Sequence, residues 1–324
     1  MTNIKKMMTA GVILYGIAVL INLLCVLFQS SVFDFMNNHA VDINSDRLLF
    51  PLISIYQIVV LVIFSAFMLV MLKYKGSQER IIGIVMIVVY CIVAVTYPYI
   101  SVAETWFTSL LGGEVVLVEL TSLDAAIGFV TLPFVTVSSA LMFIATGRFG
   151  VRRESLVSDS NSLNNKIKIP MIVGILLSAA AMGIDLFSFA SIETVYKIMN
   201  APDSLNVTVF PITAAIQIIF TIMFVVFLLI MLKYKGLSTK SAAVAMTVIY
   251  CLLTIAAPFI KSAYNIFVLN SGGADYVAAG ATLENFIALC TPPFTVVSSV
   301  LIFIAIGRYG TVNTHQENND NSEN

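Results

Sequence analysis

Apolar residues dominate eight stretches of the chain, at roughly 8–29, 50–72, 81–100, 125–146, 169–190, 210–232, 241–260 and 284–306. Each is about 20 residues long, enough for a helix rising 1.5 Å per residue to cross ~30 Å of hydrocarbon. Backbone N–H and C=O groups cannot stay unpaired in lipid, so such stretches form helices rather than open strands. The pattern predicts an all-α integral membrane protein with eight transmembrane helices. Pro51 and Pro211 open the second and sixth stretches, where a missing N–H costs little.

The polar punctuation repeats. Residues 50–76 and 210–236 align at a fixed offset of 160. Both begin Phe-Pro, carry Gln57 or Gln217, and end Met-Leu-Lys-Tyr-Lys-Gly. The same offset pairs Tyr90-Cys91 with Tyr250-Cys251, Pro98 with Pro258, and Gly112-Gly113 with Gly272-Gly273. It also pairs Thr131 to Gly150 with Thr291 to Gly310. The first stretches align at an offset of 163, which pairs Asn22 with Asp185. Insertions are tolerated in loops, where the three-residue difference falls. The expected layout is a first four-helix repeat over 1–150, a linker over 151–168, a second repeat over 169–310 and a tail over 311–324. An even number of spans per repeat inserts both the same way. The repeats are therefore expected to be parallel, about a pseudo-twofold axis along the membrane normal.

Composition agrees with a bilayer as solvent. The 324 residues are 59% hydrophobic and 11% charged, where soluble domains average about 25% charged. The mean hydropathy is +0.97. The formal net charge of −1 says little, but its distribution says more. With the N-terminus inside, fourteen of the 17 Lys and Arg residues fall in inner segments; only Arg47, Lys197 and Lys261 fall outside. Of the acids, eleven fall outside and six inside, with Asp185 inside a span. The positive-inside rule then predicts a cell-membrane protein with both termini cytoplasmic. The basic start of the first span resembles a signal peptide, but no small-x-small site follows, so it is expected to be a retained helix.

The segments between spans carry fewer signals. The outer segments 101–124 and 261–283 exceed a simple turn, and Trp106 suggests a short interfacial helix, a lid or a re-entrant segment. The tail from His315 is rich in Asn, Glu and Asp, which predicts disorder.

Polar groups within spans point to a site, because the bilayer makes them costly. Gln57 and Gln217 fall about 10 Å below the outer boundary at 1.5 Å per residue. Asn22 and Asp185 also fall in the outer half. Pro133 and Pro293 are expected to break the fourth spans beside Thr131 and Thr291. One reading of these groups is hydrogen bonding between helices, worth about 0.6–2 kcal/mol each. The other is a polar cavity, open outward between the repeats, lined by Asn22, Gln57, Thr131, Asp185, Gln217 and Thr291. Asp185 is the sharper case, since a centred charged Asp costs about 2.5–3.5 kcal/mol on insertion scales. A carboxylate near the interface, hydrated from outside, is the simplest account of it.

No P-loop, dinucleotide fingerprint, HExxH or GxSxG motif appears. The chain has two histidines and four cysteines, and none has metal-ligand spacing. It reads as a non-enzyme without cofactor, metal or nucleic-acid partner. Its expected contacts are the lipid bilayer and a small solute or cationic peptide. The expected function is a transporter or channel-like protein for a small solute. The alternative is a self-immunity, sensor or assembly protein that presents acidic outer loops to a ligand or partner.

Overall fold

The computed structural model describes residues 2–28, 52–73, 78–110, 114–154, 160–191, 212–233, 237–270 and 287–320, with positions 31, 194 and 283. Within these residues the chain is helical: α1 Thr2–Leu27, α2 Leu52–Lys73, α3 Gln78–Leu110, α4 Glu114–Glu154, α5 Ser160–Ala190, α6 Ile212–Lys233, α7 Leu237–Asn270 and α8 Pro292–Asp320. Among the described residues, seven helices are long and apolar enough to cross a membrane, through Ile4–Leu27, Leu52–Leu69, Ile81–Ala103, Ile127–Arg148, Ile167–Ala190, Ile212–Ile230 and Ser241–Phe267. The chain is thus a multi-pass membrane protein. The eighth expected span differs: its apolar helix, Pro292–Arg308, is shorter than the rest.

The shortening has a local cause. Residues 287–290 are helical, Thr291 bends, and α8 starts afresh at Pro292. Pro292 has no N–H to give to the preceding turn, and it disfavours helical geometry at Thr291. The chain restarts on the Thr291 carbonyl, which accepts from the N–H groups of Phe294 and Thr295 at 3.0 Å. Pro133 does not break α4 as expected; nor do Pro98 in α3 and Pro258 in α7. A single proline leaves enough backbone bonds on either side for the helix to pass through.

Several helices outrun their apolar stretches. Trp106 belongs to α3, and Glu114 to Asp124 to α4. Likewise α7 continues to Asn270. The tail is helical as far as Asp320, where its composition suggests disorder. Extending an existing helix costs far less than nucleating one, so polar residues can follow an apolar helix. The Gly pairs, the Lys-Tyr-Lys-Gly turns beyond their first lysine, Pro51 and Pro211 lie outside the described residues.

The chain packs as two compact units, Met1–Met142 and Phe143–Asn324. In the first, α1 packs on α2, and α2 on α3. Gly11 of α1 meets α4 at Ser138 and Met142. In the second, α5 packs on both α8 and α6, and α6 on α7. Here Gly174 of α5 meets Ser298 and Ile302 of α8.

The buried stripe of α1 runs Met8, Gly11, Tyr15, Ala18, Asn22, Val26, while Ile13, Leu20 and Leu24 are exposed. In α5 the buried stripe is Met171, Ile175, Ser178, Ala181, Asp185, Ser188, while Ile172, Leu176 and Phe187 are exposed. Steps of three and four place each stripe on one helix face. Polar groups thus point into the protein and bulky apolar ones out, as lipid contact favours.

Candidate functional site

The first unit joins two of the sequence-predicted residues. Asn22 of α1 and Gln57 of α2 are both buried, at 0% and 2% exposure, and Asn22 Nδ2 donates to Gln57 Oε1. Thr9 near the start of α1 meets Met68 near the end of α2, so the two helices run antiparallel. Ser54, three residues before Gln57 on the same face, is also fully buried. Neither Ser54 Oγ nor Asn22 Oδ1 has a hydrogen-bond partner. Aromatic rings close the neighbouring levels: Tyr56 packs on Tyr97 with centroids 4.9 Å apart, and Phe64 on Tyr90 at 5.7 Å. Tyr15, one heptad before Asn22, is buried as well.

The second unit carries the ionisable member. Asp185 is 0% exposed, so it lies within the protein and not on a surface hydrated from outside. It shares the buried face of α5 with Ser178 and Ser188. Ser178 Oγ and Thr221 Oγ1 of α6 are hydrogen-bonded at 2.9 Å. Gln217, one turn from Thr221, is half-buried, and its Oε1 is buried without a hydrogen-bond partner. Thr213 Oγ1, a further turn along α6, is in the same condition. One turn before Ser178, the Gly174 carbonyl accepts from Ser298 Oγ of α8 at 2.8 Å. Tyr250 of α7 stacks on Phe220 of α6, with centroids 4.7 Å apart.

Thr131 and Thr291 are buried but turned to their own helices. Thr131 Oγ1 donates to the Ile127 carbonyl at 2.7 Å, and Thr291 Oγ1 to the Ile287 carbonyl at 3.0 Å. Neither bonds the carbonyl that a neighbouring proline leaves without its N–H. Their hydroxyl protons are spent, which leaves each oxygen only as an acceptor.

Sequence reasoning passed over Ser54, Ser178, Thr213 and Thr221. Helical spacing was the available signal: Ser54 precedes Gln57 by three, Thr213 precedes Gln217 by four, and Ser178 precedes Asp185 by seven.

The result is a set of buried amides, hydroxyls and one carboxyl within apolar helices. It can bind protons and hydrogen-bonding groups in low dielectric, where such bonds are strong and unpaired groups costly. No protein-family model matches the chain, and no characterised protein or solved structure is significantly similar to it.

Proposed function

We propose that the chain is a transporter or channel-like protein that moves a small solute across the membrane. It is built as two four-helix repeats inserted in the same direction, with both termini on the cytoplasmic side. The observation that carries this reading is Asp185, a fully buried acid on the inward face of an apolar span. Intramembrane acids are expensive to insert, and in membrane proteins they mark substrate paths and proton relays. The support around it is polar: Ser178 and Ser188 share its helix face, and Gln217 and Thr213 bring buried oxygens from the helix packed beside it. In the first repeat Asn22 and Gln57 are the corresponding polar pair.

The orientation rests on the distribution of lysine and arginine, fourteen of which fall on one side of the alternating spans. The acidic segments on the other side would raise the local concentration of cations at the mouth of the path.

The test is uptake by proteoliposomes against a panel of small amines, amino acids, sugars and inorganic ions. Wild type should move at least one class above protein-free vesicles. Asp185→Ala should abolish that uptake. Ile172→Ala, on the exposed apolar face of the same helix, should not. Uptake no higher than in empty vesicles across the panel, or full uptake by Asp185→Ala, would refute the proposal.

A further inference from the structure

The internal alignment pairs Asn22 with Asp185 and Gln57 with Gln217. In the first unit the Asn22 amide donates to Gln57 Oε1. In the second, Gln217 Oε1 is buried and receives nothing. The helices concerned are packed in both cases, α1 on α2 and α5 on α6. The Ser178–Thr221 bond sets the register of α5 on α6. Asp185 lies seven residues after Ser178, and Ala214 seven before Thr221. Consecutive spans run antiparallel, so Asp185 comes level with Ala214, flanked by Thr213 and one turn from Gln217.

The halves differ by the donor. The carbonyl oxygen of a Gln only accepts. Asn supplies an N–H to it; an ionised Asp has no hydrogen to give, and a protonated Asp has one. We infer that Asp185 holds a proton inside the membrane and donates it to Gln217 Oε1. The second unit then repeats the Asn22–Gln57 bond, with an exchangeable hydrogen in place of a fixed one. The proton is the ligand of this site, and it is the ion that would couple to solute movement. That coupling role rests on the transport reading above; the protonated pair does not.

Among the described residues, the helices packed about Asp185 carry the following charged and titratable groups. On α5 the nearest charged residue is Lys168, near the helix start. Helix α6 has only Lys233, at its end, and α8 has Arg308, Tyr309, His315, Glu317 and Asp320 beyond its apolar part. Cys290 precedes α8. Helix α7, packed on α6, brings Lys240, Tyr250, Cys251, Lys261 and Tyr264. Of these, Lys261 would favour the ionised acid and so opposes the proposed state.

Infrared difference spectra of the full chain in lipid vesicles, between neutral and strongly alkaline buffer, test the pair. Wild type should show the C=O stretch of a protonated carboxylic acid at neutral pH and lose it on alkalinisation. Asp185→Asn should lack that band. It should also keep the wild-type melting temperature, because it copies Asn22. Gln217→Leu should keep the band but shift its frequency, since the bond to the amide is gone. A band missing in wild type at neutral pH, retained in Asp185→Asn, or unmoved by Gln217→Leu would overturn the inference. Uptake measured on the same vesicles without a pH gradient separates the two claims. Solute movement without the band sinks only the protonated pair; the band without movement of any solute sinks only the transport reading.

Discussion

Gly147 lies against the carbonyl oxygen of Ile304, with no room between them for a β-carbon. The relationship is reciprocal: Gly307 lies against the carbonyl of Ile144 in the same way. In both cases the obstructing atoms belong to the backbone, so no side-chain rotation can relieve the overlap. Gly147→Ala and Gly307→Ala should each destabilise the protein by about 1–3 kcal/mol, the usual cost of overpacking. Gly16, Gly128 and Gly183 have nothing within 4 Å of where a β-carbon would sit. Alanine there should be neutral or stabilise by up to about 1 kcal/mol, from helix propensity alone. Thermal unfolding in detergent compares the two groups. Equal melting temperatures for Gly147→Ala and Gly16→Ala would contradict the close approach.

The Asn22–Gln57 bond should appear as coupling in a double-mutant cycle. Asn22→Leu leaves the Gln57 amide buried without its donor, and Gln57→Leu strands Asn22, so each single change should cost more than a lost bond. The double change removes both polar groups and should cost less than the sum. The expected coupling is about 0.6–2 kcal/mol. Strict additivity would mean that the two amides do not interact.

Topology is checked by cysteine labelling in a background lacking Cys25, Cys91, Cys251 and Cys290. A cysteine in place of Asn270, at the end of α7, should react with an impermeant reagent applied to intact cells. One in place of Ser160, at the start of α5, should react only after the membrane is opened. Labelling of the Ser160 position in intact cells would invert the proposed orientation.

Much of the helical layout was legible because lipid imposes a simple rule. A run of about 20 apolar residues must be a helix, and seven such runs are helices long enough to cross. What hydropathy could not mark was where each helix stops. Helix α4 runs 41 residues, from Glu114 to Glu154, because hydrogen bonding continues past the apolar boundary into sequence that carries no periodic signal. The polar site was legible in part. Asn22, Gln57 and Asp185 stand out as polar residues in apolar runs, and all three are buried. The direction of a hydroxyl was not legible, since Thr131 and Thr291 can serve a neighbour or their own helix with equal ease. Nor was the effect of Pro292. Aligning Pro133 with Pro293 draws attention to what the halves share and away from Pro292, which stands where the first run has Leu132.

That difference gives the last prediction. Thr131-Leu132-Pro133 passes through α4 without interruption, whereas Thr291-Pro292-Pro293 ends one helical segment and begins α8. Pro292→Leu restores an N–H able to reach the carbonyl of residue 288, and it frees Thr291 from the restriction a following proline imposes. The segment from Ile287 should then join α8 as one helix. Stability should rise, by less than the ~3 kcal/mol that a mid-helix proline costs, because Pro292 already occupies the tolerant first position of α8. Leu132→Pro in α4 is the reverse exchange. It introduces the break in mid-helix, so it should cost about 3 kcal/mol or more. Amide hydrogen exchange at Phe294 and Thr295 reads the change directly. Both now donate to the Thr291 carbonyl at the restart. In Pro292→Leu, Phe294 should shift from that bond to the carbonyl of Cys290 and exchange more slowly. Unchanged exchange at Phe294, with unchanged melting temperature, would show that the break at Thr291 has a cause other than Pro292.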